Sequence, residues 1–417
     1  MEQRDGALSP YRVLDLTDEQ GLACGKLLGD LGADVIIVEP PKGHPARNRG
    51  PFYKDQVHSE KSLYWFAHNT SKRSITLNLE TKDGQALFRD LVKTAHFVIE
   101  SYPVGYLDKL GLGYEALAQI KPDIILTSIT PFGSTGPYAH YQGSDLIGQA
   151  MGGLMYICGE AGRPPVRVAG DQALFLAGLQ GAVGSLMAHY YRMMTGEGQH
   201  VDVSTQEAIL GGMGIGGPHE DWYMNHNIHQ RAGIPFHQGA VRGVAPRVPV
   251  VQKCKDGYVG ISALRCPIMP VLQWMEDSGW DVADLKKREW TLDTIDFLTR
   301  PERDLLDPLV DKLVKSKTKR EIWEGAIKYR VPWTPMQTPN DLFDDRHLKE
   351  RGFFVPVQHE ELKDTITYAG PPANLSQTPW RIKGRAPKIG EHNLEIYEKE
   401  LGLTREELSM LKTIGAI

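Results

Sequence analysis

Through the first 130 residues, short unbroken apolar runs alternate with stretches of helical spacing. Tyr11–Thr17 (YRVLDLT) and Ala33–Glu39 (ADVIIVE) are strand-length runs, and Leu22–Leu31 between them has apolar residues at helical intervals. This predicts a βαβ unit opening a parallel sheet. The alternation goes on, with strands predicted at Ser74–Leu79, His96–Glu100 and Asp123–Thr130, a helix over Gly84–Lys93 and a helical connection over Gly105–Ile120. Pro131–Asp145 (PFGSTGPYAHYQGSD) then reads as a long Gly/Pro loop. From Gly152 to Ala188 a second Gly/Pro-rich loop delivers one acidic residue, Asp171, to the start of a helix of small apolar residues. In TGEGQHVDVSTQEAIL, Ser204 and Glu207 form a capping-box pattern that starts another helix near Thr205.

The pattern changes near Arg242. VAPRVPVVQKCKDGYVGISAL predicts two short strands around a Lys-Asp-Gly turn, and a charged, helix-rich stretch runs on to Ala326. Pro-rich VPWTPMQTPNDLF follows, then strands at Gly352–Gln358 and Thr365–Tyr368. A helix pair at Asn393–Leu401 and Thr404–Ile414 ends the chain, the second with a Thr404/Glu407 capping box. The organisation expected is a large α/β domain over 1–220, a linker over 221–246, a small domain over 247–331, and a return linker with the rest of the large domain over 332–417.

Composition narrows the class. A chain of 417 residues exceeds one core, and 41% hydrophobic with 24% charged residues is ordinary for a globular protein. The net charge of −5 argues against nucleic acid or an anionic membrane as the main partner. No apolar run approaches the ~20 residues of a membrane helix, and MEQRDGALSPYRVLDL lacks the apolar core of a signal peptide, so a cytoplasmic protein is expected. Cys24, Cys158, Cys254 and Cys266 show no CxxC spacing and read as reduced thiols.

Asp171 has two readings. It is an N-cap, where Asp suits the positive end of the helix dipole, or a nucleophile or base at the lip of a pocket. The first βα turn, TDEQGLACG, lacks GxGxxG, so Glu39 at the end of the second strand is a weak ribose signal and no nicotinamide is expected. The basic pairs Arg47/Arg49 and Lys72/Arg73 are solvated charges or together an anion site. In HEDWYMNHNIHQ, His226 and His229 stand three apart without Cys or HExxH geometry, and no metal is expected. Ala173, Ala177, Gly178 and Gly181 recur on one helical face, which allows close approach of a backbone or a ligand arm; tight helix packing explains them equally well.

LLGDLGADVIIVEPPKGHPAR, NTSKRSITLNL, ESYPVGYLDKLGLGYEAL, TGEGQHVDVSTQEAIL and VPWTPMQTPNDLFDDRHLKERGFF, in that order, resemble the family III (CaiB/BaiF-type) CoA-transferases, which include formyl-CoA transferase and carnitine CoA-transferase. The resemblance implies a large Rossmann-like domain with a parallel sheet, a smaller α+β domain and an interlocked dimer. It puts the catalytic aspartate at Asp171 and CoA contacts at Gln20, Gly21, Leu77, Ser101, Tyr102, Lys109 and Phe132. Pro40 or Pro41 and Glu80 stand where formyl-CoA transferase has Arg and Lys, which leaves Arg47, Arg49 or Lys72 as substitutes. The family's racemases carry Gly-His-Asp where this chain has Gly143-Ser144-Asp145, and Ser144 cannot abstract a carbon-bound proton. Their small-domain glutamate aligns near Ala263, a second count against racemisation. The absence of a GGGGQ run counts against formate and oxalate.

A narrower resemblance, in DEQGLACGKLLGDLGADVI and GDQALFLAG, is to the branch with subunits of succinyl-CoA:benzylsuccinate CoA-transferase, where two related chains form the enzyme. The implied partners are an acyl-CoA, a small carboxylic acid, and a second copy or sister chain. The implied chemistry is thioester exchange through an aspartyl anhydride and an enzyme–CoA thioester, without ATP. A succinyl-CoA donor with an aromatic or dicarboxylic acceptor fits that branch. Backbone amides of Gly133–Gly136 or Gly152–Gly153 are candidate oxyanion donors. A silent partner subunit and an acyl-CoA racemase remain the alternatives.

Overall fold

The structure, a computed structural model, describes residues 6–159, 162–213, 222–224, 226, 228, 251–261, 266–291, 293–295 and 298–417. Six runs pair side by side: β1 (Arg12–Leu16), β2 (Asp34–Glu39), β3 (Lys72–Thr76), β4 (Phe97–Glu100), β5 (Ile125–Thr130) and β6 (His200–Ser204). Their order is β3-β2-β1-β4-β5-β6, and every pairing is parallel. A parallel sheet is covered on both faces, which is why its strands read as continuous apolar runs. The helices along this part of the chain, in order, are α1 (Leu22–Asp30), α2 (Leu63–His68), α3 (Lys82–Thr94), α4 (Tyr106–Lys109), α5 (Tyr114–Ile120), α6 (Asp145–Met151), α7 (Leu154–Ile157), α8 (Gln172–Thr195) and α9 (Thr205–Gly212).

On one face Val13, Val35, Phe97 and Ile129 pack under α1 and α8. On the other, Leu14, Ile36, Val98 and Leu126 meet Phe88 and Leu91 of α3 and Leu408 and Leu411 of the C-terminal helix Arg405–Thr413. The small residues of α8 serve the first face. A Cβ at Gly178 would stand 2.8 Å from the Ala23 Cβ and 3.0 Å from the Cys24 amide nitrogen, and one at Gly181 would stand 2.7 Å from Ile129. The stripe is therefore occupied by α1 and the sheet, and no ligand arm runs along it.

Several elements depart from the pattern-based expectation. The third strand begins at Lys72, two residues early, because the Lys72 ammonium is buried against Asp15 (2.8 Å), Asn69 (2.9 Å) and the Leu22 carbonyl (3.1 Å). β6 was not predicted; it is an edge strand with its first three residues partly exposed, so no apolar run marks it. The stretch 105–120 divides into α4 and α5 at Gly111, whose φ of 64° belongs to the left-handed region. The final pair consists of a π-helix, Leu394–Glu400, and the α-helix Arg405–Thr413, with the Thr404/Glu407 capping box closed in both directions. At Ser204 only half of the box forms, the hydroxyl accepting from the Glu207 amide.

The chain divides into two compact units, one of residues 1–154, 167–213 and 346–417, the other of 155–166 and 214–345. The first also holds the antiparallel hairpin β10 (Phe354–His359) and β11 (Asp364–Ala369). The second holds a three-stranded antiparallel sheet of β7 (Val251–Cys254), β8 (Gly257–Ile261) and β9 (Trp333–Pro335). Helices Ile268–Asp277, Arg300–Lys315 and Lys319–Tyr329 build its core around Trp274, Val310 and Trp333. The second unit runs on to 345, where Trp333–Pro335 pairs with β8 and Lys319 reaches Asp341. The expected linker over 221–246 falls almost wholly outside the described residues. Among the described residues no helix is long and apolar enough to cross a membrane, and none of the four cysteines is in a disulfide.

The close packing of α8 at Gly178 and the open position of Gly211 in α9 predict opposite signs for two glycine substitutions. Gly→Ala in a helix gains roughly 0.5–1 kcal/mol, whereas overpacking a filled contact costs about 1–3 kcal/mol. Gly178→Ala, facing Ala23, should lower the urea midpoint; Gly211→Ala, with nothing within 4 Å, should raise it. Equal shifts would show that α8 and α1 can part freely.

Candidate active site

The sheet order reverses direction between β1 and β4, and open α/β sheets bind ligands outside the carboxyl ends of the strands at such a point. Here the two strand ends are tied together. Ser101 accepts from the Asp18 amide (2.6 Å) and donates to Asp18 Oδ1 (2.7 Å). The Gln20 amide also donates to Asp18 Oδ1 (2.9 Å). Gly21 closes the turn, since a Cβ there would lie 2.3 Å from Thr17 Cγ2. Gln20, Gly21 and Ser101 of the expected CoA contacts therefore stand together at the switch point.

Asp171 stands at the N-cap position, just before α8, and its side chain makes no capping hydrogen bond. Its backbone (φ −97°, ψ 63°) turns the carboxylate away from the helix, toward two guanidinium groups. Oδ2 lies 2.6 Å from Arg49 Nη2, and Oδ1 lies 3.2 Å from Arg167 Nη2. The cap comes from elsewhere: Asp145 Oδ1, on α6, accepts from the Ala173 amide at 2.8 Å. The other oxygen of Asp145 accepts from Gln149 (2.8 Å) and from Arg167 Nε and Nη2 (3.0 and 2.8 Å). Asp145 is buried and Asp171 is not fully so, its side chain 14% exposed. Arg49 connects this group to the first turn, pairing with Glu19 (2.7 Å) and lying over the Tyr64 ring, 4.1 Å from its centroid. Burial raises the Tyr64 hydroxyl well above its ordinary pKa, so it stays protonated. Arg167, four residues before Asp171 in RPPVRVAGD, is the participant that reading the sequence missed.

The basic pairs are not one anion site. Arg47 is fully buried, with Nε and Nη2 on Glu39 (2.6 and 2.7 Å), Nη1 on Glu60 (3.0 Å) and its carbon 3.9 Å over Trp65. Glu39 is thereby an internal counter-ion and no ribose ligand, and it also accepts from Ser74 (2.6 Å). Lys72 is spent on Asp15, and Arg73 on Asp34, Glu395 and Glu400. Of the three proposed substitutes for phosphate contacts, Arg47 and Lys72 are excluded by burial, and Arg49 faces Asp171.

The remaining expected contacts are dispersed. Leu77 is buried in the core under α3 and offers its side chain to nothing outside. Tyr102 is half-buried and packs on Tyr106, 4.5 Å between centroids. Tyr106 donates to Glu80. Lys109 ends α4 with its side chain exposed, and Phe132 sits among Tyr138 and Tyr141 at 5.7 and 6.4 Å. The expected oxyanion amides are largely taken: Gly133 donates to Thr130, Gly152 to Gly148 and Gly153 to Ala150. Ser144 caps α6. His229 and Ala263 lie outside the described residues.

A cavity of about 500 Å³ lies beside the carboxyl ends of β4 and β5, lined among others by Glu100, Asp108, Glu115, Ser128 and His200. Its lining has three carboxylates and no Lys or Arg, so it is no phosphate site. Burial raises Glu100 to about 7, against hydrogen bonds from Ser128 and from the Tyr102 amide (2.6 Å). Ser128 in turn meets His200 Nε2 at 2.9 Å.

Comparison with known proteins agrees in direction. The family model described as CoA-transferase family III matches residues 8–393. The chain is 35% identical over 419 residues to succinyl-CoA:(R)-benzylsuccinate CoA-transferase subunit BbsE of Thauera aromatica, covering 98% of each chain. It is 33% identical over 410 residues to succinyl-CoA:mesaconate CoA-transferase of Haloarcula marismortui, covering 94% of this chain and 96% of that one. Among solved structures, a CAIB/BAIF family protein from Brucella suis superposes with a TM-score of 0.81 at 31% identity, covering 95% of this chain and 99% of that one.

Glu100 gives a pH signature. With its folded pKa near 7 and an ordinary value of 4.5, the folded state alone keeps the proton between those limits. Stability therefore falls as pH rises through that window, by on the order of 3 kcal/mol in full. Glu100→Gln removes the penalty, so its melting temperature relative to wild type should be higher at pH 8 than at pH 5. An identical difference at both values would mean that Glu100 ionises freely.

Proposed function

The chain belongs to CoA-transferase family III, and from that footing we propose that it moves CoA from succinyl-CoA to an aromatic or dicarboxylic acid with Asp171 as the nucleophile. One observation carries the reading: the Asp171 carboxylate is released from capping and held by Arg49 and Arg167 beside the switch point. An oxygen of Asp171 attacks the thioester carbonyl, the C–S bond breaks, and CoA leaves as thiolate. The thiolate then attacks the aspartyl carbonyl of the mixed anhydride, giving an Asp171–CoA thioester and free succinate. The acceptor acid reverses the sequence. Covalent exchange keeps the energy of the thioester throughout, so no nucleotide hydrolysis is needed.

The donor and acceptor class follow the relatives, whose names pair succinyl-CoA with benzylsuccinate or mesaconate. In this reading CoA is the substrate and meets Gln20, Gly21, Ser101 and Tyr102 near the strand ends, with exposed Lys109 as its phosphate contact. Leu77 and Phe132 are retained as expected contacts only if their surroundings open.

The working unit in this reading is an interlocked dimer, with a second copy or, as the word subunit in the Thauera protein's name suggests, a sister chain. In support, α8 exposes Met187, Tyr190, Met193 and Met194, each more than 60% accessible, an apolar surface that a lone subunit would leave in water. Sedimentation should give a dimer at micromolar concentration. A stable monomer there would exclude the intertwined arrangement, and co-purification from the native source separates identical from sister partners.

Asp171→Asn tests the chemistry. Because Asp171 caps nothing, the substitution costs only its ion pairs, at most about 1 kcal/mol at a partly exposed site. Transfer activity should fall by several orders of magnitude with little change in melting temperature. Wild type given succinyl-CoA and hydroxylamine should form a hydroxamate on the peptide containing Asp171. Near-wild-type transfer by the Asn variant, with deamidation excluded by mass, would make this chain a silent subunit or one with another nucleophile.

A further inference from the structure

Two cations touch Asp171, and their other partners differ. Arg167 is anchored independently of Asp171: Nε and Nη2 both reach Asp145 Oδ2, and Nη2 also reaches the Gly170 carbonyl at 3.0 Å. Arg49 is anchored through its other nitrogen alone, Nη1 on Glu19 at 2.7 Å, while its Nη2 points at Asp171 Oδ2. The guanidinium is nevertheless held in place, since its carbon lies 4.1 Å over the Tyr64 ring and the Arg49 carbonyl accepts from Ser62 at 2.5 Å. Neutralising Asp171 would leave Arg167 satisfied and leave Arg49 with one donor edge bare. That edge would be fixed, only a third exposed, and within contact distance of the Asp171 carboxyl group.

This inference rests on Asp171 being the nucleophile. Acylation converts its carboxylate into a neutral anhydride or thioester. At that stage two cations face two carboxylates, Glu19 and Asp145, where three stood before. The reaction supplies the missing anion itself: the acid released from the donor, or the acid about to be activated. We propose that Arg49 is the acid-binding residue, its Nη2 edge passing from the Asp171 carboxylate to the carboxylate of the departing or incoming acid whenever Asp171 is acylated.

In the productive direction a carboxylate oxygen of the bound acid attacks the carbonyl carbon of the Asp171 thioester. The C–S bond breaks, and the electron pair leaves on the CoA sulfur. The thiolate then attacks the acyl carbonyl of the anhydride, restoring the Asp171 carboxylate and its pair with Arg49. No proton moves in any of these steps. The site therefore needs a permanent cation and no general base, which suits a guanidinium better than an ammonium or imidazolium. An acid held on Nη2 also lies beside the carbon it must attack, so binding and positioning are one contact. Glu19 competes for the same guanidinium from the other side and weakens its hold on any second anion.

The test is isotope exchange of labelled succinate into succinyl-CoA by the intact protein, which needs no knowledge of the final acceptor. Loss of a charged hydrogen bond corresponds to roughly 10–100-fold. Arg49→Gln should raise KM for succinate by about that factor while KM for succinyl-CoA changes less than about threefold and hydroxamate trapping at Asp171 persists; Arg49→Lys should fall between. Glu19→Gln should act oppositely and lower KM for succinate, which provides a reading even if the Arg49 variants fold poorly. A purely structural Arg49 would move both KM values together. Exchange by wild type with the succinate KM unaltered in Arg49→Gln, or unaltered or raised in Glu19→Gln, overturns the assignment alone. Wild type that neither exchanges label nor forms the hydroxamate overturns the nucleophile and this inference with it.

Discussion

Every helix begins with amides that lack intrahelical partners, and α8 meets that requirement at Ala173 through Asp145 rather than through Asp171 at its own N-cap position. The rest of the site depends on this substitution of one aspartate for another. Asp145 reaches Ala173 because α6 lies against the start of α8, and that approach is possible because residue 148 is glycine. A Cβ there would stand 2.9 Å from both the Ala173 Cβ and the Thr205 Cγ2. Ser144 caps α6, Gln149 and Arg167 hold the second oxygen of Asp145, and Arg167 turns its remaining reach to Asp171. A buried carboxylate does the structural work, and a more exposed one is left outside the cap, facing Arg49 and Arg167.

The sheet was legible because burial on two faces writes continuous apolar runs, and β1, β2, β4 and β5 fell within two residues of where those runs lie. The exceptions share a cause in tertiary context. Lys72 breaks an apolar pattern at the start of β3, yet its ammonium is interior, neutralised by Asp15 from the neighbouring region of the sheet. His200–Ser204 is an edge, with too little burial to show. Trp333–Pro335 looked like Pro-rich connection, and only its pairing with β8 makes it a strand.

The site was legible residue by residue but not in its roles. Asp171 stood out from the sequence, yet cap and nucleophile have the same local pattern, and the residue that caps in its place, Asp145, arrives from another helix. Arg47 and Arg49 show the limit most clearly. They lie two residues apart around a short 3-10 turn, and one enters the core against Glu39 while the other faces Asp171. No local spacing separates them, because their fates are set by acids on different elements. Small residues on α8 were equally ambiguous until Ala23 and Cys24 were found against them.

The charges at the switch point also bear on how a nucleotide-bearing substrate can lie there. In a dinucleotide fold with this strand order, glycines in the first turn let a diphosphate sit on the N-terminus of α1. Here that turn carries Asp18 and Glu19, and Asp18 already occupies the amides of the turn through Gln20 and its own bridge to Ser101. Two carboxylates where the diphosphate would rest oppose it electrostatically, and Arg49 is committed to Glu19 and Asp171. The crevice is therefore poorly charged for a diphosphate and better suited to a group that carries a single negative charge. At the end of α4, by contrast, Lys109 is exposed, and among the described residues no acid pairs with it. The fold keeps the strand order of the dinucleotide enzymes and carries acids in the turn where they carry glycines.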